Sequence, residues 1–375
     1  MERRQTVRIL RVIQRRYLIA VAAAVSLLLA ACSSAASTSG GAAAAVANSP
    51  STAAKSAPVT IKVSYLPVSD SAALFLAQKL GYFAKNGIVV DPTLLFTGAD
   101  TIPALVRGDV DIAAGGPSAG LFNAIGQTPG SIMIVGSMVT ASSTPAQAGA
   151  LNNVTGIYVR KDLFASGAIN SAAKLVGKTV YLPSLGDQNE YYLYLYLKEN
   201  GIALSKVHIG VLSGDAVTEA DAGFRGKRID AALEAPPVAQ TEVKDGISVP
   251  LFTSEQVDPN AELAVWQANA AFVKAHPAAI VGFLKALGEA NQYYDTALRD
   301  GPQSSQYKTV ISTVASFLKL PASEVNLGPG LTTTLNVSDL TNIANFYALE
   351  GYVPKGDIQP ASVYVNSSYL TQAGQ

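Results

Sequence analysis

Three short segments of this chain occur twice, in the same order and at nearly the same spacing. Tyr65-Leu66-Pro67 returns as Tyr181-Leu182-Pro183, at an offset of 116 residues. Lys85-Asn86-Gly87-Ile88 returns as Lys198-Glu199-Asn200-Gly201-Ile202, at an offset of 114. Arg107-Gly108 followed by Asp111-Ile112-Ala113-Ala114 returns as Arg225-Gly226 followed by Asp230-Ala231-Ala232, at 118 to 119. Each fragment by itself is ordinary turn chemistry. Three in series predict two lobes built on one βαβαβ plan.

The stretches between these marks alternate β-branched runs with helical periodicity, the pattern of parallel α/β units. Strands are expected over 60–65, 88–94 and 110–114, with Asp91-Pro92 pointing to an edge or a bulge in the second. Helices are expected over 70–84, closed by Asn86-Gly87, and over 99–106. Residues 149–159 read as an extended crossing into the second lobe and 249–267 as the return, with 262–266 strand-like. His276-Pro277 then opens a long helix whose Ile280, Phe283, Leu284, Leu287 and Ala290 share one face. Helices over 307–318 and 338–349 are expected to cover the first lobe. A chain that leaves one lobe and comes back makes a cleft with a hinge of two crossings.

Composition narrows the chemistry. Apolar residues make up 49% of the 375 residues and charged residues 14%, which excludes a disordered chain and leaves enough to bury a core. One cysteine and two histidines argue against zinc fingers, iron–sulfur sites and disulfide frameworks, so no metal and no cofactor are expected. Residues 1–31 hold six arginines and one glutamate, leaving 21 basic against 26 acidic groups from residue 32 onward. That balance gives no footprint for nucleic acid.

The N-terminal residues read as an address. Arg3, Arg4, Arg8, Arg11, Arg15 and Arg16 precede an apolar run over 18–31 broken only by Ser26. This is the form of a secretory signal, too short for a membrane span. Leu29-Ala30-Ala31-Cys32 resembles the bacterial lipobox, in which the cysteine carries the lipid. Arg15-Arg16-Tyr17 is loosely similar to a twin-arginine signal. Residues 33–58 are rich in Ala, Ser, Gly and Thr with a single charge, Lys55, and read as a flexible tether. The expected division is signal 1–32, tether 33–58, first lobe 59–150, second lobe 151–250, and return to the first lobe over 251–375. The protein is expected outside the cytoplasmic membrane, lipid-anchored through Cys32.

Tyr65-Leu66-Pro67, Leu80-Gly81-Tyr82-Phe83-Ala84-Lys85-Asn86-Gly87-Ile88, Ala104-Leu105-Val106-Arg107-Gly108-Asp109-Val110-Asp111, Gly156-Ile157-Tyr158-Val159-Arg160-Lys161-Asp162 and Gly177-Lys178-Thr179-Val180 together resemble one family. It is the nitrate, sulfonate and taurine branch (SsuA/THI5/NMT1-like) of the solute-binding proteins of ABC importers. The resemblance spans roughly residues 59–300. It implies a type II periplasmic-binding-protein fold that closes on a small molecule and delivers it to a membrane permease. One chain suffices for one cleft, so a monomer is expected.

Ligands of parallel α/β sheets sit at the carboxyl ends of strands, beneath helix N-termini. The repeat places those ends at 67–70 and 115–118 in the first lobe, and at 184–189 and 234–236 in the second. Gly115, Gly116, Pro117 and Ser118 allow close backbone approach and start a helix. Ser184 is a candidate, and so are Ser69, Asp70, Gln188 and Asn189, which with Asp187 could equally serve as caps. Tyr191 opens a helix that also carries tyrosines 192, 194 and 196, so not all can face the cleft. Glu234 is expected to meet the ligand, or else to cap the helix starting at Pro236-Pro237. With Asp70 it would favour an amine over a sulfonate. No Lys or Arg lies in these four segments, Arg160 falling just past the crossing.

Two other classes remain. THI5-like enzymes need an active-site histidine and a cysteine-rich motif, whereas His208 and His276 lie outside the expected cleft segments; no catalytic residue is expected. A lipid-anchored sensor would use the same cleft without transport, and the sequence does not separate it from a transport receptor.

Overall fold

The computed structural model describes residues 57–96, 98–141, 155–212, 214–328 and 330–375. The signal with Cys32, the tether up to residue 56 and residues 149–154 of the first expected crossing lie outside the described residues.

Ten strands form two five-stranded sheets among the described residues. The first contains β1 (Val59–Tyr65), β2 (Ile88–Leu94), β3 (Ile112–Gly115), β4 (Ile132–Thr140) and the late strand β10 (Glu262–Asn269), ordered β2-β1-β3-β10-β4. The second contains β5 (Gly156–Arg160), β6 (Thr179–Leu182), β7 (His208–Val211), β8 (Ala231–Glu234) and β9 (Ser248–Thr253), ordered β7-β6-β8-β5-β9. The repeat is now visible as topology. β1 lies parallel between β2 and β3, as β6 lies parallel between β7 and β8.

The two crossings are more than connectors. β10 inserts antiparallel between β3 and β4, and β5 inserts antiparallel between β8 and β9. Each sheet is therefore mixed, and each inserted strand is an interior strand of its sheet. Their composition suits that position, since Gly156 to Val159 and Glu262 to Gln267 are buried throughout. A polar group at such a place must find partners inside the protein. The Glu262 carboxylate does so, accepting from Ser137 Oγ at 2.5 Å and from the Asn336 N–H at 2.8 Å.

The helices that matter for the site are α1 (Ala72–Lys79), α2 (Gly98–Arg107), α3 (Ala119–Gln127), α4 (Gln188–Glu199), α5 (Ala216–Arg225), α6 (Val238–Asp245), α7 (Pro277–Asp300), α8 (Ser305–Leu318) and α9 (Val337–Glu350). The single helix expected over 70–84 is instead a 3₁₀ turn at Ser69–Ser71, then α1, then a short helix at Tyr82–Lys85. Gly81 breaks it by adopting φ 76°, a left-handed conformation that glycine enters without steric cost.

Along α7 the apolar stripe is buried as its periodicity requires. Ile280, Phe283, Leu284, Leu287 and Ala290 are each fully covered, and every large side chain among them contributes about 1.5–3 kcal/mol. α8 covers the first lobe, with Phe317 stacked on Phe75 at 4.4 Å. α9 reaches further than expected and touches both lobes, Tyr347 against Phe122 of α3 and Phe346 against Tyr191 of α4.

Candidate functional site

The carboxyl ends of β1, β3, β6 and β8 converge on one cavity, as the strand-end rule requires. The first lobe supplies Leu66, Pro67, Val68 and Asp70 after β1, and Gly116 after β3. The second supplies Pro183, Asp187, Gln188 and Asn189 after β6, with Leu233 and Ala235 at the end of β8. About 100 Å³ within it is open to water, the scale of a small molecule. The lobes touch around it. The Ala119 N–H donates to the Gly186 carbonyl at 2.9 Å, and the Ser69 N–H donates to the Pro236 carbonyl at 3.3 Å.

Of the residues singled out from sequence, Asp70, Gly116, Gln188 and Asn189 line this cavity. The others stand around it in structural roles. Ser69 is buried and joins the lobes, its Oγ also donating to the Asn326 carbonyl. Gly115 is paired with Val265 in the sheet. The Pro117 carbonyl accepts from the Tyr347 hydroxyl at 3.0 Å. Ser118 caps α3, its Oγ accepting from the Leu121 N–H at 3.3 Å. Ser184 is half-buried beside the cavity and outside its lining. Tyr191 packs among Tyr192, Tyr194 and Phe346, and does not line the cavity either.

Glu234 points the other way, and this corrects the sequence reading. Side chains of a strand alternate between faces. Leu233 and Ala235 line the cavity, so Glu234 between them turns into the second lobe's interior with Ala232. It is fully buried there beside Glu242 of α6. Burial first, then the Glu242 charge, holds the Glu234 carboxyl well above its ordinary range. Burial likewise pushes Glu242 up to about 8, against the bond it accepts from Ser248 Oγ at 2.5 Å.

Other lining residues were not singled out. Phe96 follows β2, while Asp215, Ala216 and Val217 follow β7. These are also carboxyl ends of parallel strands, so the same rule would have found them. Leu263 and Ala264 lie within β10, and no local signal in the sequence marks them.

The cavity is acidic. Asp70 is half-buried, accepts no hydrogen bond among the described residues, and is pushed up to about 6 by desolvation. Burial also raises Asp187, although the N–H and Nδ2 of Asn189 donate to its Oδ1 at 2.9 and 2.6 Å. No Lys or Arg is among the described residues lining it. Arg160 pairs instead with Asp162 and Asp230. His208 is exposed on β7 and His276 precedes α7, both away from the lining.

Two mixed α/β sheets walling one small cavity give the chain the type II periplasmic-binding-protein fold. The chain matches the NMT1-like family over residues 54–306 and belongs to it. It is similar to the taurine-binding periplasmic protein of Escherichia coli (strain K12), 29% identical over 63% of this chain and 67% of that relative. The alkanesulfonate-binding protein SsuA from Xanthomonas axonopodis pv. citri, solved bound to MOPS, shares the fold with TM-score 0.65 and 17% identity, over 82% of this chain and 99% of that one. The periplasmic nitrate-binding protein NrtA from Synechocystis PCC 6803 does so with TM-score 0.66 and 17% identity, over 85% and 89%.

Proposed function

We propose that this protein is an extracytoplasmic receptor of an ABC importer, held at the membrane by lipid on Cys32. It closes on a small nitrogen- or sulfur-containing organic molecule and hands it to a membrane permease. The observation that carries this reading is the shared wall of the cavity, with Asp70 and Gly116 on one side and Gln188 and Asn189 on the other. A ligand there touches both lobes only when they are closed. Its binding energy therefore shifts the open–closed equilibrium, and a permease can read the closed shape. The roles named for the taurine, alkanesulfonate and nitrate relatives point the same way.

On this reading residues 59–150 and 251–375 act as one lobe and 151–250 as the other, and a monomer is functional because one chain completes the cavity. The protein binds without catalysing. Both histidines are remote from the cavity and the single cysteine is Cys32, so a nucleophile–base pair involving histidine has nothing to be built from there.

A native mass spectrum of the full chain, taken before and after mild denaturation, tests the receptor. Release of a species of a few hundred daltons is expected, and deleting the gene should abolish uptake of that molecule. Uptake unchanged by the deletion would favour a lipid-anchored sensor instead. Cys32→Ser should move the protein from the membrane to the soluble fraction; continued membrane retention would overturn the anchor.

A further inference from the structure

Resting on that receptor reading, we infer that the ligand is held through a cationic nitrogen group, an ammonium, amidinium or protonated amino-heterocycle, with Asp70 as its counter-ion. The relatives named for sulfonate and nitrate would suggest an oxyanion, and helix N-termini are the usual means of holding one without basic side chains. Here several of those donors are already used inside the protein. At α3 the Ala119 N–H goes to the Gly186 carbonyl and the Leu121 N–H to Ser118 Oγ. At α4 the Asn189 N–H goes to Asp187 Oδ1 and the Glu190 N–H to the Asp187 carbonyl. At α5 the Thr218 N–H goes to Asp215 Oδ1.

Among the side chains that line the cavity, the groups left without partners are acceptors. Asn189 is 3% exposed and lines the cavity, and its Oδ1 is buried without a partner. Its orientation is fixed, because Nδ2 is spent on Asp187 Oδ1 at 2.6 Å. Asp70, in the opposite lobe, adds a carboxylate with no donor among the described residues. Asp187 and Asp215 bring further negative charge to the same wall. A buried acceptor without a donor is costly, and a carboxylate more so. A ligand that carries N–H donors and positive charge relieves both at once and bridges the lobes. An oxyanion would meet acceptors on both sides.

The test is a thermal-shift and calorimetric panel on the full chain in mild detergent, using probes matched in shape. Taurine is compared with isethionate, which replaces its amine by a hydroxyl, and agmatine, putrescine and 4-aminopyrimidine are compared with ethanesulfonate and nitrate. At least one nitrogen base or taurine should raise the melting temperature, while isethionate, ethanesulfonate and nitrate should not. Asp70→Asn and Asn189→Ala should each weaken the active probe about tenfold or more, with circular dichroism confirming the fold. Binding of ethanesulfonate or nitrate that survives Asp70→Asn would overturn the cation and leave the receptor standing. Failure of every probe of both classes would overturn the cation and count against the receptor as well.

Discussion

Gly116 and Gln188 face each other across the cavity so closely that a β-carbon on Gly116 would overlap the Gln188 carboxamide. The Gln188 amide is held there, its Nε2 donating to the Leu263 carbonyl at 3.2 Å. Gly116 thus fills a place where any side chain displaces the Gln188 amide, although its own backbone conformation is not one reserved for glycine.

Gly116→Ala should therefore act on closure more than on folding. Gln188 must swing away and give up its bond to Leu263, so ligand affinity falls about three- to tenfold. Adding Gln188→Ala removes the overlap and should make the cost of the alanine at 116 much smaller. Calorimetry of the four proteins with one active probe reads this directly. Independent, additive losses would mean that the two residues do not meet in the closed state.

Glu234 lies outside the cavity, so Glu234→Gln should leave ligand affinity unchanged within about twofold. Its effect belongs to stability. Because the folded-state carboxyl titrates well above its ordinary value, the neutral form is native, and stability is lost as pH rises through that higher pKa. The glutamine variant should match wild type at about pH 4, where both side chains are neutral in the folded and unfolded chain, and its stability advantage should grow through neutrality into alkaline solution. Melting curves up to about pH 9.5 check this, and an affinity loss of tenfold would return Glu234 to the site.

The same sign applies across the molecule. Burial raises Asp70 and Asp295 to about 6, Asp339 to about 7, and Glu262 and Glu242 to about 8. In the unfolded chain these groups release their protons near pH 4. Between pH 5 and 8.5 the native state therefore binds more protons, and stability falls as pH rises. We expect the melting temperature to drop by about 5 °C or more over that span. A flat or rising profile would contradict the burial of these carboxyls.

Much of the architecture was legible because it is written in local chemistry. The repeated Asn-Gly and Arg-Gly marks end helices, and Gly87, Gly108 and Gly201 take positive φ at those marks. Asp187 caps α4, and His276-Pro277 starts α7. The strand-end rule located Asp70, Gly116, Gln188 and Asn189 without a structure. The same rule extends to the ends of β2 and β7, where Phe96 and Asp215 also line the cavity.

What the chain determined by itself was the order of its elements, the two-lobed plan and the strand ends that meet at the cleft. These follow from periodicity, turn chemistry and caps, which act over a few residues. Only the tertiary structure decided which side of β8 faces the cleft, and that β5 and β10 are interior strands. A strand covered on both faces is apolar on both, so its sequence carries no mark of inside and outside. In Leu233-Glu234-Ala235 the one charged side chain suggested the wet face. The pleat turned it inward, where Glu242 and the surrounding apolar core keep it protonated.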